Sequence, residues 1–326
     1  MSHSDEHSED AVACFRKLMM QPAVPAELVA AMEAAVRQRP HKRRGLQADV
    51  LARVFKDAAE AATRCGWGGR VVISDGRVLV DQDGALFPVD VSNRYLRTDG
   101  LPPGALMLHN LDRLGISPRI IFDVGANIGE IAIYLARRCP DARVFAFEPA
   151  PENIAGFQAN LALQRPPLAN LKLITEAVSD RSGAVRMTVG GGLLNTTLIE
   201  ERSDRLARTR DLEVIEVPAD TLTGFAERLE APTIDFLKID VEGGEPRLAT
   251  SIRALGPRIR AAFVEISSFN TLEAYFDLVD AFASAGLVLA KKNLSKVEKP
   301  RQWLEENLPA VGAMNVWFVD PARTIS

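Results

Sequence analysis

A glycine-spaced loop and a short series of carboxylates carry the chemistry open to this sequence. The loop is Asp123-Val124-Gly125-Ala126-Asn127-Ile128-Gly129, and Glu148 stands nineteen residues after its last glycine. Glycines after an apolar run let a backbone approach a ligand closely, where a β-carbon would block the approach or forbid the required φ. An acid in the position of Glu148 accepts hydrogen bonds from both hydroxyls of a ribose. Dinucleotide sites space their glycines G-x-G-x-x-G, so that a pyrophosphate rests on the helix N-terminus. Here the spacing is G-x-x-x-G with Asn127 in place of the middle glycine, which points to a nucleotide-type cofactor without phosphates. About ninety residues after Glu148 comes Leu237-Lys238-Ile239-Asp240-Val241-Glu242-Gly243-Gly244-Glu245, and Glu265 lies beyond it. Asp240 and Glu242 are two apart, so on an extended segment they would point the same way. With Glu265 they form a group suited to accepting a proton from a hydroxyl. The alternative is that such carboxylates hold a hard divalent cation, which prefers oxygen ligands. Lys238 is a further candidate partner for one of these acids.

The elements that must position these residues alternate between strand and helix. Ile120-Ile121-Phe122 leads into the loop, and Ile128, Ile131, Ala132 and Leu135 fall on one helical face. Arg143 to Phe147 reads as a second strand closed by Glu148, and Pro149 ends it; Ile154, Phe157 and Leu161 begin the next helix. A third strand, Leu171 to Thr175, ends at Glu176 and Ala177, where the base of a nucleotide would lie. The fourth, Ile234 to Ile239, ends at Asp240, and Leu248, Ile252 and Leu255 mark the helix after it. Ala261 to Val264 would be a fifth strand closed by Glu265. Leu272, Tyr275, Phe276, Val279 and Phe282 form another helix face, and Val288–Ala290 and Val316–Val319 are the last two strands. This is the pattern of a doubly wound α/β sheet whose ligands bind at the carboxyl ends of the strands. Asp123, Glu148, Glu176 and Asp240 then surround one crevice. Acids suit a cationic, hydroxyl-rich cofactor, and S-adenosylmethionine carries a sulfonium, an ammonium and a ribose.

Four segments together resemble the FkbM family of S-adenosylmethionine-dependent methyltransferases: Phe122 to Gly129, Phe147-Glu148-Pro149, Glu176 to Gly183 and Leu237 to Glu245. The resemblance runs from about Ile120 to Ser267. It implies a Rossmann-like fold with a seven-stranded, mostly parallel sheet, its last two strands pairing as an antiparallel edge. It also implies cofactor contacts from Asp123, Gly125, Ala126, Asn127, Gly129, Glu148, Glu176, Ala177 and Asp240. Members act mostly on hydroxyls of natural products and glycans, so the expected acceptor is a small molecule or glycan. Some related O-methyltransferases use magnesium in this region; here Asp240 and Glu265 would hold it, although Ile266-Ser267 supply no further carboxylate. Other readings stay open. These are N-methylation of an amine, a nucleotide-linked oxidoreductase disfavoured by the glycine spacing, and a non-catalytic protein that keeps the fold.

The remaining candidates are weaker. The chain has four histidines, His3, His7, His41 and His109, of which only His109 lies on a helix able to cover the crevice. Gly190-Gly191-Gly192-Leu193-Leu194-Asn195-Thr196-Thr197 reads as a loop that brings Asn195 and Thr196 to the acceptor. Asp220 reads as an N-cap, because Leu222, Phe225, Ala226 and Leu229 follow it as a helical face.

Composition agrees with a folded domain and an extension. The chain has 326 residues and a net charge of -4, which argues against a general nucleic-acid binder, and His41-Lys42-Arg43-Arg44 reads as a solvated loop. No stretch approaches a membrane span, the acidic start is not a secretory signal, and the expected location is cytoplasmic. Cys14, Cys65 and Cys139 have no metal-like or disulfide spacing. Residues 1–20 read as an unstructured tail. Residues 21–100 read as two helices (Pro25 to Arg39, Leu46 to Cys65) and a β-meander, with turns at Asp75-Gly76 and Asp83-Gly84. This unit is expected to cap the site, recognise the acceptor or join two copies into a homo-oligomer through edge strands. Residues 101–326 form the methyltransferase domain.

Overall fold

The computed structural model describes residues 70–74, 77–88, 102–189, 213–268 and 270–324. The chain divides into two compact units, Met1–Pro102 and Pro103–Ser326.

In the first unit, β1 (Arg70–Ser74), β2 (Arg77–Gln82) and β3 (Ala85–Pro88) form an antiparallel meander in that order. At the second turn Asp83 and Gly84 take φ of 51° and 92°, the left-handed pair that a two-residue hairpin turn requires. The helices expected at 25–39 and 46–65, and the tail before them, lie outside the described residues.

The second unit begins with α1 (Pro103–Arg113), which runs back to β4 (Ile120–Val124). There follow α2 (Glu130–Arg138), β5 (Arg143–Phe147), α3 (Pro151–Ala162) and β6 (Leu171–Ile174). A second group is β7 (Ala177–Ser179), β8 (Gly183–Val189), β9 (Glu213–Thr221) and α4 (Leu222–Arg228). The chain then makes β10 (Phe236–Ile239), α5 (Ala249–Leu255), β11 (Ala261–Ser267), α6 (Leu272–Ser284), β12 (Val288–Ala290), α7 (Pro300–Val311) and β13 (Ala313–Val319). Seven strands make one sheet in the order β12-β13-β11-β10-β4-β5-β6. Neighbours are parallel except at β13, which is antiparallel to both β11 and β12. The expected antiparallel pairing of the last two strands is therefore present, with β12 as the edge and β13 inside. From β4 the chain winds outward through β5 and β6, then returns on the other side of β4 to β10 and β11. The order reverses between β4 and β10, the switch point at whose carboxyl ends sheets of this kind bind their ligands.

Burial explains these strands. Every residue of β4 and β10 is buried, as parallel strands covered on both faces must be. Their two charged residues, Asp123 and Lys238, face each other in register. The helix after the loop departs from the expected single face: Ala132 to Ala136 are buried in succession. The cause is α1, whose Gly104 packs so close that a Cβ there would lie 2.6 Å from the Tyr134 ring.

Three further expectations are corrected. Ala177-Val178-Ser179 is not the tail of the third strand but β7, in a separate sheet ordered β7-β9-β8. Glu265 does not close its strand; β11 continues to Ser267 because Ala313 and Met314 of β13 extend the pairing past it. The N-cap of α4 is Thr221, whose hydroxyl accepts from the Gly224 amide at 3.0 Å. Asp220 stands one residue too early to reach that amide and instead accepts from Ser182 Oγ at 2.6 Å and the Thr221 amide at 2.8 Å.

Candidate active site

The glycine loop leaves β4 and crosses the ends of both neighbouring strands. The amides of Gly125 and Ala126 both donate to the Phe147 carbonyl, at 3.0 and 2.9 Å, so the loop curls over the end of β5. On the other side a Cβ at Gly125 (φ 79°) would lie 1.8 Å from the Asp240 carbonyl oxygen. Gly125 is thus required by the backbone that follows the neighbouring strand β10. Asn127 and Gly129 are also left-handed, with φ of 51° and 86°. Gly129 lies against Phe157, whose ring would be 2.8 Å from an added Cβ.

Glu148 completes this cradle and is only 4% exposed. Its Oε2 accepts from the Asn127 amide at 2.8 Å and its Oε1 from the Ala150 amide at 2.9 Å. Burial pushes its carboxyl up, and the amides of Ala150 and Asn127 pull against that shift. Each carboxylate oxygen has a second lone pair, so the acid can tie down the loop and still accept from a diol. The cradle therefore fits a ribose-bearing cofactor: it pairs close backbone approach with an anchored acceptor.

Asp123 is not an open acid on the crevice. It is fully buried, with Oδ1 3.3 Å from Lys238 Nζ. Lys238 also donates to the Gly125 carbonyl at 2.8 Å and lies 3.4 Å from Asp240 Oδ2. Burial works against its ammonium, but the charges of Asp123 and Asp240 outweigh that and hold its pKa above the ordinary lysine value.

Beyond Lys238 the chain turns. Asp240 to Gly244 is not extended, as the two-residue spacing had suggested; Glu242 takes φ 52° and Gly243 φ 100°. The turn still brings Asp240 and Glu242 together and sets them against Glu265 of β11. Oxygens of the three carboxylates lie within 4.8 Å of one another, all partly exposed. Burial, then the charges of Asp240 and Glu242, push the Glu265 carboxyl up to about 8. A carboxylate with that pKa can take up a proton near neutrality.

Sequence reasoning assigned no role to Glu245, which holds this turn in shape. Its Oε1 accepts from the amides of Val241 and Gly243, both at 3.0 Å. Tyr275 donates its hydroxyl to Oε2 at 3.2 Å and accepts from the Ser267 amide at 3.0 Å. Asn270 Nδ2 donates to the Gly243 carbonyl at 2.8 Å. The available signal was an acid two residues after the first glycine of a Gly-Gly pair, a spacing that lets a side chain cap its own turn.

The other expected residues are placed as follows. Glu176 is held by Arg228 at 2.8 Å, whose guanidinium lies over the Phe225 ring at 4.7 Å. Ala177 is buried in β7. His109 is on α1 as expected, with its side chain exposed. Asn195 and Thr196 lie outside the described residues. No helix among the described residues is long and apolar enough to cross a membrane.

A doubly wound sheet with one antiparallel strand, and a glycine loop facing an acid at the end of the next strand, defines the Rossmann-like methyltransferase class. The family described as Methyltransferase FkbM domain matches residues 123–306, more than half of the 326-residue chain, and the chain belongs to that family. It is similar to methyltransferase sdnD of Sordaria araneosa, 29% identical over 160 residues that make up 42% of this chain and 61% of that protein. It is 32% identical over 171 residues to 31-O-demethyl-FK506 methyltransferase FkbM of Streptomyces tacrolimicus, covering 45% of this chain and 65% of that one. The chain thus spans less than two thirds of the length of both relatives. A third similar protein is 2-O-methyltransferase NoeI of Sinorhizobium fredii (strain NBRC 101917 / NGR234), 24% identical over 178 residues, 50% of this chain and 72% of that one. Among solved structures, methyltransferase FkbM from Methylobacillus flagellatus KT aligns over 90% of this chain and 59% of that one, with 12% identity and a TM-score of 0.38.

Proposed function

We propose that this protein is an S-adenosylmethionine-dependent methyltransferase acting on a hydroxyl of a glycan or secondary metabolite. The observation that carries the reading is the meeting of the cofactor cradle and the acid cluster across one backbone contact, Gly125 against Asp240. Bound S-adenosylmethionine supplies a sulfonium-activated methyl group. The chain's own residues then bind, align and handle a proton. Gly125, Ala126, Asn127 and Gly129 let the backbone close on the cofactor, and Glu148 accepts from its ribose. A hydroxyl is a weak nucleophile and gains from a nearby base. Glu265 is the proton acceptor, with burial first and then the charges of Asp240 and Glu242 raising its affinity for that proton. The relatives named as a 31-O-demethyl-FK506 methyltransferase and a 2-O-methyltransferase favour a hydroxyl over an amine acceptor. Residues 21–100 are proposed as a cap or oligomerisation unit, and residues 101–326 as the methyl-transfer domain.

The test is transfer of labelled methyl groups into fractionated host extract. Label in the glycan or small-molecule fraction supports the reading. Label confined to protein or nucleic acid, or binding of NAD with none of S-adenosylhomocysteine, overturns it. A second reading comes from the spacing of Asp240, Glu242 and Glu265, whose oxygens suit a divalent cation such as magnesium. In that case chelation abolishes transfer and added magnesium restores it; unchanged turnover after chelation removes the metal.

A further inference from the structure

We propose that Lys238 is a positioning residue that holds the cofactor loop and the acid cluster in one register. The functional meaning of the two segments rests on the methyltransferase reading above; the clamp itself rests on geometry alone.

Lys238 interrupts an otherwise apolar strand, Phe236-Leu237-Lys238-Ile239, at the centre of the sheet. An ammonium is costly to bury there, and neutralising it requires one acid. Asp123, directly across in β4, would suffice. Yet Nζ lies among three oxygens: Asp123 Oδ1 at 3.3 Å, the Gly125 carbonyl, to which it donates at 2.8 Å, and Asp240 Oδ2 at 3.4 Å. The second is the first glycine of the cofactor loop, and the third is the first acid of the cluster. The same two residues already touch through their backbones, where Gly125 presses on the Asp240 carbonyl and the Asp240 amide donates to Val124 at 3.0 Å. A backbone contact fixes how close the segments come. A side chain that grips the Gly125 carbonyl and the Asp240 carboxylate fixes how they are turned. Together they set where a bound methyl donor lies relative to the acids, and such alignment weighs heavily in a displacement reaction.

The other end of the same region holds a comparison. Asp235, just before β10, is paired with Arg260 at 3.1 Å and accepts from the amides of Arg119 and Ile120 at 2.9 and 3.0 Å. That pair joins the start of β10 to the start of β11, but it touches neither functional segment.

The experiment compares Lys238→Met in an Asp123→Asn background with Asp123→Asn alone, so that no buried carboxylate is left without its cation. Arg260→Met is the structural control. Hydrogen exchange is read by mass spectrometry on the full chain without cofactor, and S-adenosylhomocysteine affinity by calorimetry. A positioning role predicts at least tenfold faster exchange in peptides covering 124–129 and 239–244, with other peptides unchanged. Affinity is expected to fall about tenfold, and Arg260→Met should produce neither effect. A folded double variant whose two segments exchange, and whose ligand binds, within twofold of Asp123→Asn alone overturns the proposal. Should the double variant not fold, Lys238→Arg decides. It keeps the charge but replaces a compact ammonium with a planar fork, so affinity falls several-fold if Lys238 positions the loop, and an unchanged affinity overturns the idea. A parent chain that binds no S-adenosylhomocysteine refutes the methyltransferase reading instead, while the exchange comparison still decides the clamp.

Discussion

Gly125→Ala is the most direct perturbation of the site. The added Cβ would sit 1.8 Å from the Asp240 carbonyl oxygen, and real Cβ atoms essentially never come closer than 3.0 Å. The loop and the turn after β10 must therefore part by about 1.2 Å. Crowding of this kind costs about 1–3 kcal/mol. The left-handed φ of 79° adds about 1–2 kcal/mol for a residue with a side chain. The sum, roughly 2–5 kcal/mol, corresponds to a melting point lower by roughly 5–20 °C for a unit of this size. The functional loss should be larger than stability alone explains, because displacement by about 1 Å costs on the order of 100-fold in a positioned reaction. Calorimetry with S-adenosylhomocysteine, well below the melting point, separates the two effects. Parental affinity in a folded Gly125→Ala protein would show that the Gly125–Asp240 contact does not shape the cofactor site.

Other perturbations test other parts of the same geometry. With the Glu265 carboxyl pushed up to about 8, kcat/KM for a hydroxyl acceptor should climb with pH and level off above about 8; Asp240→Asn should move that rise to lower pH, and a flat profile from pH 6 to 9 removes Glu265 as the base. The same group links to stability. Its folded pKa lies above the ordinary 4.5, so its contribution is complete below about pH 4.5 and is lost as pH rises through about 8, which thermal melts across that window can check. Glu148→Ala strips the acceptor from the amides of Asn127 and Ala150 and from the ribose, and should weaken S-adenosylhomocysteine binding roughly 10- to 100-fold, the about 1–3 kcal/mol of one lost ligand acceptor; calorimetry within threefold of the parent would contradict that role. Tyr275→Phe leaves the buried Ser267 amide and Glu245 Oε2 each short of a partner and should lower stability by about 1–3 kcal/mol. An unchanged melting point would mean that the Glu245 bracket contributes little.

What was legible in the sequence follows from how local each feature is. β4, β5 and β12 could be read because buried strands are short apolar runs, and Asp83-Gly84 because a hairpin turn depends on two residues. The β7-β9-β8 sheet was hidden for the opposite reason. β7 has three residues, β9 carries Pro218 and the charged Glu213 and Glu216, and the pairing joins residues some forty apart. The end of β11 was misplaced because its length is set by β13, about fifty residues later. The sequence singles out Asp240, Glu242 and Glu265, but not the way they meet. Glutamate is a poor candidate for a positive φ, so nothing local marks Glu242 as the corner of a turn. The three-oxygen arrangement around Lys238 depends on the β4–β10 register and could not be read from either strand alone.

The place of β13 has a consequence for how the chain acquires this sheet. β12 is made before β13, yet its only strand neighbour in the sheet is β13, which separates it from β11. During synthesis β11 therefore presents one open edge, and β12 has nothing to pair with, until residues 313–319 have emerged and inserted between them. Over that interval the growing chain carries an unpaired, largely apolar strand border of the kind that recruits other chains. The order of manufacture and the order of the finished sheet are thus at odds at one place. A ribosome stalled before residue 313 should hold a chain with its glycine loop formed and its sheet still open to association.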